Sequence, residues 1–450
     1  MHSPVNPVQR AGHASDLPPA LRPRVLTVLR FSSVFWACLY FALLAISGHT
    51  YPRSLAFSFA ILFTLIPIFA ALLVDGEPIP LPGRFALLAL LAWPAWAAAS
   101  MMWSVHPRYT RFEVGTEIGW GLVTFTIFYV AARSALAFRS LLATAVGAGA
   151  LLSLMALYAA LGASGFDPNT SLQYSYGGVG AFSTYIVMVL PVLPLLLAPR
   201  PVGFGSSIWT LAAGGATFLL LLAAARLTEN RMIWLAIAAG ILLAAMLAAW
   251  RWRGRLKRAP LRWAAGVVGV LLLLGALFVN AALQRTRIDF KQDTTVAQAI
   301  ADDPRFPLWE YSFDRIRERP WAGFGFGKAI LSTELQGELG DPMLTHPHNL
   351  FVSQWLQIGA VGMVALIALF AALAWRYWAF LLDSDGVLAA IGVAGLVMLL
   401  AFVVKNLTDD FMIRPSSKEF WALNAALVGY GIRRARRAPE ADTRGSVRQP

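Results

Sequence analysis

Asn349–Trp375 reads NLFVSQWLQIGAVGMVALIALFAALAW, 27 consecutive residues without a charged side chain. Coiled as a helix rising about 1.5 Å per residue, such a run crosses the roughly 30 Å hydrocarbon core of a bilayer. No water is present there to satisfy backbone N–H and C=O groups, so only helices or closed barrels can span it. A barrel would need strands of about ten residues with alternating polarity, and that pattern is absent. Working outward from this run, comparable apolar blocks lie near residues 26–47, 54–74, 85–103, 115–133, 139–162, 180–198, 208–225, 231–249, 263–283, 387–404 and 417–432. The expected fold is all-α, a polytopic transmembrane helix bundle of about 12 spans.

Composition agrees. Apolar residues make up 58% of the chain and charged residues 14%, against roughly 45–50% and about 25% in soluble domains. Lys and Arg accumulate on cytoplasmic loops. Residues 250–262 (WRWRGRLKRAPLR) are basic without an acid, and the tail carries Arg433, Arg434, Arg436 and Arg437, so both are expected inside. With twelve spans, the N-terminus is then also inside. The net charge of +13 reads as topology and attraction to anionic lipid. Nucleic acid is not an expected partner, because the basic residues flank spans instead of forming one folded face. Cys38 is the only cysteine, which leaves no disulfide or thiolate metal site within one chain.

Gln284–Pro347 interrupts the apolar pattern with a polar stretch of 64 residues, eight of them basic and ten acidic. Bundle spans need only short turns between them, so this large outer loop is expected to contain short helices and to carry the chemistry. The organisation expected is a disordered inner tail (1–25), nine spans (26–283), the outer catalytic loop (284–348), three spans (349–432) and a basic inner tail (433–450). Within the loop, 307–319 reads as an amphipathic helix with Leu308, Trp309, Ser312, Phe313 and Ile316 on one face, ended by Pro320. Gly323-Phe324-Gly325-Phe326-Gly327 follows. No strand precedes it, so it reads as turn glycines under aromatic side chains and not as a dinucleotide fingerprint.

The loop closes on Thr345-His346-Pro347-His348-Asn349. Histidine can accept a proton near neutrality, its unperturbed pKa being about 6.5, so His348 and His346 are candidate bases. The bland alternative is a polar His-Asn pair that caps the next helix. No nearby Glu or third His completes a hydrolase-like set, so neither a metal nor a cofactor is expected. Arg231, opening the eighth span, and Arg305, in the loop, fall on the same side. A guanidinium at a span end often only snorkels to headgroups, yet two facing one cavity suit a diphosphate. Asp409 and Asp410, after the eleventh span, could orient a base, although solvated loop acids are commoner.

Taken in order, Thr228, Arg231 and Trp234, then Arg305 and Trp309, then Pro320, Gly323, Gly325 and Gly327, then His348, Asn349, Gly359 and Gly362 resemble the O-antigen ligase and polymerase superfamily. Trp103-Ser104 with Pro107 is similar to an early signature of that family. One departure is Gln357, where members often carry an acid. The resemblance implies a metal-independent, inverting glycosyltransferase of the bacterial inner membrane with its active site facing the periplasm. It would take a glycan from undecaprenyl diphosphate and pass it to lipid A-core. Arg231 and Arg305 would hold the donor diphosphate and His348 would activate the acceptor, supported by His346, Asn349, Trp309, Asp409 and Asp410. Polymerases and protein O-oligosaccharyltransferases share the pattern. A lipid-linked glycan transporter is a further alternative, but the span centres lack the charges such a protein uses.

Overall fold

The computed structural model describes residues 22–45, 50–70, 79–162, 178–200, 202–253, 266–270, 272–280, 305–341 and 344–446. Among these, every regular element is helical and no strand occurs. In chain order the main helices are α1 (Arg22–Leu44), α2 (Thr50–Ala70), α3 (Arg84–Ala99), α4 (Pro107–Glu113), α5 (Trp120–Ala131), α6 (Ala135–Gly162), α7 (Val179–Val189), α8 (Ile208–Leu227), α9 (Arg231–Arg251), α10 (Arg305–Glu318), α11 (Ser332–Leu339), α12 (Leu350–Leu382), α13 (Gly386–Lys405) and α14 (Arg414–Ser446).

Nine helical stretches among the described residues are long and apolar enough to cross a membrane, and they coincide with nine of the twelve expected spans. The other three differ. Pro52–Ile66 within α2 and Gly266–Asn280 are shorter apolar helices. The run expected at 417–432 is the first part of α14, which continues to Ser446. The expected disordered tail (apart from the start of α1 at Arg22), most of the basic loop beyond Arg253 and the first part of the outer loop lie outside the described residues.

Capping residues punctuate the helices. Ser207, Asn230, Asn349 and Asp385 each accept a backbone N–H in the first turn of the helix they precede, satisfying donors that would otherwise be orphaned. α14 lies at the centre of the bundle. Trp421 packs against Trp93 of α3 at 6.3 Å and Phe125 of α5 at 6.0 Å. Large apolar side chains such as Phe85, Leu161 and Trp209 point outward from the bundle, as in a surface solvated by lipid.

The two ends of the bundle differ in charge. At one, Arg433 donates to the Tyr129 carbonyl, Arg434 pairs with Asp385, and Arg251 donates to the carbonyls of Leu381 and Asp383. At the other, the residues before α12 meet those after α13, with Leu350 N–H donating to Asn406 O at 2.9 Å.

α12 is not straight. Ile358 and Gly359 leave the helical region, with Gly359 at φ 69°, and the ladder opens there. The freed groups find partners from the segment after α10 and from α3: Ala360 N–H donates to Pro320 O at 2.8 Å, and Trp96 Nε1 donates to Ile358 O at 2.8 Å. Glycine is required at 359 by conformation and by space, since a Cβ would stand 2.1 Å from Trp321 O. The GFGFG strip runs along this kink. Phe324 and Gly325 N–H groups donate to the carbonyls of Leu356 and Gln357, and a Cβ on Gly323 would strike the Gln357 backbone at 2.5 Å. Phe324 and Phe326 are buried, so the strip is the seam between loop and bundle.

The amphipathic helix forms as α10, beginning at Arg305 instead of 307. Its buried stripe is narrower than expected, comprising Leu308, Ser312 and Ile316, while Phe313 is exposed. Spacing of four keeps those three in line on one helical face, and Phe313 falls to its side.

Candidate active site

His346 and His348 share a tight turn before α12, their rings 4.0 Å apart. His348 adopts a left-handed conformation with φ 50°, a region non-glycine residues enter at a cost and mostly at functional or capping positions. Asn349 then caps α12: its Oδ1 accepts from Phe351 and Val352 N–H, and its Nδ2 donates to Leu407 O at 2.9 Å. The cap therefore also draws in the loop after α13, which carries Asp409. Trp309 Nε1 donates to Pro347 O at 2.7 Å, tying α10 to the same turn.

Asp409 is where these pieces converge. Its Oδ1 accepts from His346 Nε2 at 3.0 Å and Asp410 N–H at 2.7 Å, lies 3.3 Å from Lys328 Nζ, and is 3.5 Å from His348 Nδ1. Burial alone would raise this carboxyl. The two imidazoles and the Lys328 charge outweigh it and hold Asp409 well below the usual carboxylate range. The first turn of α7 lies against it: a Cβ on Gly180 would be 3.8 Å from Oδ2 and 2.8 Å from the Phe411 ring. Helix N-terminal amides also favour an anion.

The two histidines are not equivalent. His346 is buried, and both ring nitrogens are engaged. Nε2 must donate to the carboxylate, so Nδ1 accepts from Thr345 Oγ1 at 3.0 Å. Burial, against the opposing hydrogen bond to Asp409, pushes its pKa down to about 3. His346 thus stays neutral and has no free lone pair. His348 keeps a quarter of its side chain exposed, and its Nδ1 faces the carboxylate. A proton on Nδ1 leaves Nε2 as the acceptor, the tautomer a general base needs.

The His346 shift carries a stability consequence. In the unfolded chain His346 charges near pH 6.5, whereas in the fold it resists charging until about pH 3. The neutral ring's contribution is therefore complete above about 6.5 and is lost as pH falls toward 3, at ~1.4 kcal/mol per unit. Thermal unfolding of the purified protein should show its melting temperature falling across this window, with His346→Gln flattening the decline. An equal decline in the variant would refute the assignment.

Asp410 is fully buried and turned inward. Ser353 Oγ donates to its Oδ2 at 2.9 Å, Gln357 Nε2 donates to Ser353 Oγ at 2.7 Å, and Gly327 N–H donates to Gln357 Oε1 at 2.8 Å. Burial raises the Asp410 pKa. This relay joins the loop after α13, the first half of α12 and the GFGFG seam. The Gln357 departure from the family pattern thus has a structural role, as both donor and acceptor in that relay.

Arg305 lies one turn before Trp309 on α10, on the same face, and its charge acts on Lys405 at the end of α13. Arg231 is the first residue of α9. α9 packs antiparallel on α13, since Arg251 at its far end bonds the carbonyls before α13 and a Cβ on mid-helix Gly240 would meet Val397 and Ala401. Arg231 therefore lies at the same end as Lys405 and Asp409. The sequence gives Asp409 little weight, marks Gln357 only as a departure from the family pattern, and does not single out Lys328 or Ser353. Polar residues inside an apolar span were the available signal for Ser353 and Gln357.

His346, His348 and Asp409 also offer donor atoms within 4.8 Å of one another, a set that could hold a metal. Lys328, 3.3 Å from the same carboxylate oxygen and donating to Asp410 O at 2.7 Å, already supplies a cation there.

Residues 216–367 match the family model described as O-antigen ligase. The matched stretch holds Arg231, Arg305, His346 and His348, and ends within α12. No curated protein matches the chain.

Proposed function

Because the chain carries a domain of the O-antigen ligase family, whose members are glycosyltransferase-like enzymes of lipopolysaccharide biosynthesis, we propose that it is an O-antigen ligase. It takes a glycan from undecaprenyl diphosphate and passes it to lipid A-core at the periplasmic face of the inner membrane. The observation that carries this reading is the His348–Asp409 pair, 3.5 Å apart, at the bundle end that also holds Arg231 and Arg305.

The mechanism is a single displacement. The acceptor hydroxyl oxygen attacks the anomeric carbon while His348 Nε2 takes its proton. The bond from the anomeric carbon to the phosphate oxygen breaks on the opposite face, and the diphosphate leaves with the electron pair, so configuration inverts. Asp409 holds the imidazole and stabilises the imidazolium that forms. Arg231 and Arg305 offset the charge growing on the diphosphate, a preorganised contribution of about 2.7–4 kcal/mol for one such donor. Two guanidiniums supply what a divalent ion would, and the reaction needs no metal.

The test is reconstitution of the full chain in proteoliposomes with lipid-linked glycan and lipid A-core. Attachment to lipid A-core is expected, and it should persist in EDTA. Lengthening of the lipid-linked glycan alone would instead identify a polymerase, and movement of the lipid without transfer a transporter. Activity that EDTA abolishes and a divalent ion restores would replace the metal-free mechanism with one using the His346, His348 and Asp409 donors.

A further inference from the structure

Lys405 is the last residue of α13 and is 1% exposed, though an ammonium is among the most strongly hydrated side-chain groups. Its Nζ stands 4.4 Å from the centroid of the Phe411 ring. Among the described residues it has no hydrogen-bond acceptor and no ion-paired carboxylate. The same ring carries a second ammonium, Lys328, at 5.9 Å, but that one is ion-paired with Asp409 and donates to the Asp410 carbonyl. Of two lysines on one aromatic ring, only Lys328 has a hydrogen-bond or ion-pair partner among the described residues.

A ring face returns a small part of what burying an unpaired ion costs. The surroundings of Lys405 help little more. Asp409 is within electrostatic reach, but so is the like charge of Arg305, and the Asp409 oxygen nearest the other groups is already crowded by Lys328, His346 and the Asp410 N–H. A buried cation without a partner, set near a second cation, makes physical sense when an anion completes the group.

We propose that Lys405 is a third phosphate ligand, its Nζ taking an oxygen of the donor diphosphate beside Arg231 and Arg305. This rests on the lipid-diphosphate donor proposed above. Phe411 holds the ammonium in place while the site is empty, and Asn406, whose Oδ1 accepts the Phe411 N–H at 2.7 Å, fixes the ring. A compact point charge suits this position under a ring, where a planar guanidinium would need more width.

The experiment uses the full chain in nanodiscs, as wild type, Lys405→Met and Lys405→Arg. Thermal stability is measured without ligand and during titration with undecaprenyl diphosphate, and the donor KM is measured in the transfer assay. Without ligand, Lys405→Met should melt at or above the wild-type temperature, because an uncompensated buried charge has been removed. Its affinity for undecaprenyl diphosphate should fall about tenfold or more, roughly the loss of one good charged contact, with Lys405→Arg recovering part of it. A Met variant that melts lower and binds the diphosphate lipid as wild type does would make Lys405 a structural cation and overturn the proposal. Wild-type transfer with an unchanged donor KM in Lys405→Met would overturn it while leaving the ligase reading intact. Lysine-dependent binding of the diphosphate without any transfer to lipid A-core would support the phosphate site and reject that acceptor. If the wild type binds no diphosphate lipid, both readings fall together.

Discussion

Replacing His348 by alanine should lower glycan transfer by about 10²–10⁴-fold, the range expected when a positioned general base is removed. Expression and folding should survive. His348 is partly exposed and its ring makes no hydrogen bond that closes a helix, because the α12 cap belongs to Asn349. The substitution also relieves little backbone strain, since alanine at φ 50° is no more comfortable than histidine. His346→Ala provides the contrast. That ring is buried with both nitrogens occupied, so its removal should be felt as lost stability and misplacement of Asp409 more than as loss of the proton acceptor. Transfer rate and melting temperature measured on both variants should therefore diverge: His348→Ala low in rate and near normal in melting, His346→Ala lowered in melting. Near-normal transfer by His348→Ala would remove the base from the mechanism.

The division between the histidines was not legible in the sequence, whereas the spans were. A bilayer imposes its thickness on every crossing segment, so an uncharged run such as Asn349–Trp375 announces itself without any tertiary information. Even the placement of Asp409 at the His348 end of the bundle follows from counting, because α12 and α13 form a pair of spans that returns the chain to the side where His348 left it. What counting cannot supply is contact. His348 and Asp409 are 61 positions apart, and their meeting depends on Asn349 reaching Leu407 and on Leu350 bonding Asn406. Lys328, just past the glycine-rich strip, carries no signal of its own in the sequence. Its importance comes from the way Gly323, Gly325 and Gly327 lay the strip against the α12 kink and carry the next residue to the carboxylate. Phe313 shows what pattern alone does not separate: it shares the apolar side of α10, but only the stripe of Leu308, Ser312 and Ile316 at four-residue spacing is buried within the protein.

Asp409→Asn should cost nearly as much transfer as the loss of His348, about 10²–10⁴-fold, with the donor KM little changed. An asparagine fits the space of the carboxylate but carries no charge, and its amide can turn a donor toward His348 Nδ1, favouring the tautomer that hides the acceptor lone pair. The imidazolium formed in the transition state would also lose its counter-charge, and such a loss falls on kcat. The variant should be less stable as well, because Lys328, with only 16% of its side chain exposed, would keep its charge without its partner; breaking one side of a buried pair is commonly worth ~3–5 kcal/mol. Adding Lys328→Met separates the two effects. In the double variant the ammonium that lost its carboxylate is gone as well, so melting temperature should recover toward wild type while transfer stays low. Recovery of both would show that Asp409 acts by holding the loop together, and transfer within tenfold of wild type in Asp409→Asn would show that His348 works without it. Coupling measured through this double-mutant cycle is informative because Lys328, Asp409 and His348 meet at one oxygen atom, where single substitutions are not additive.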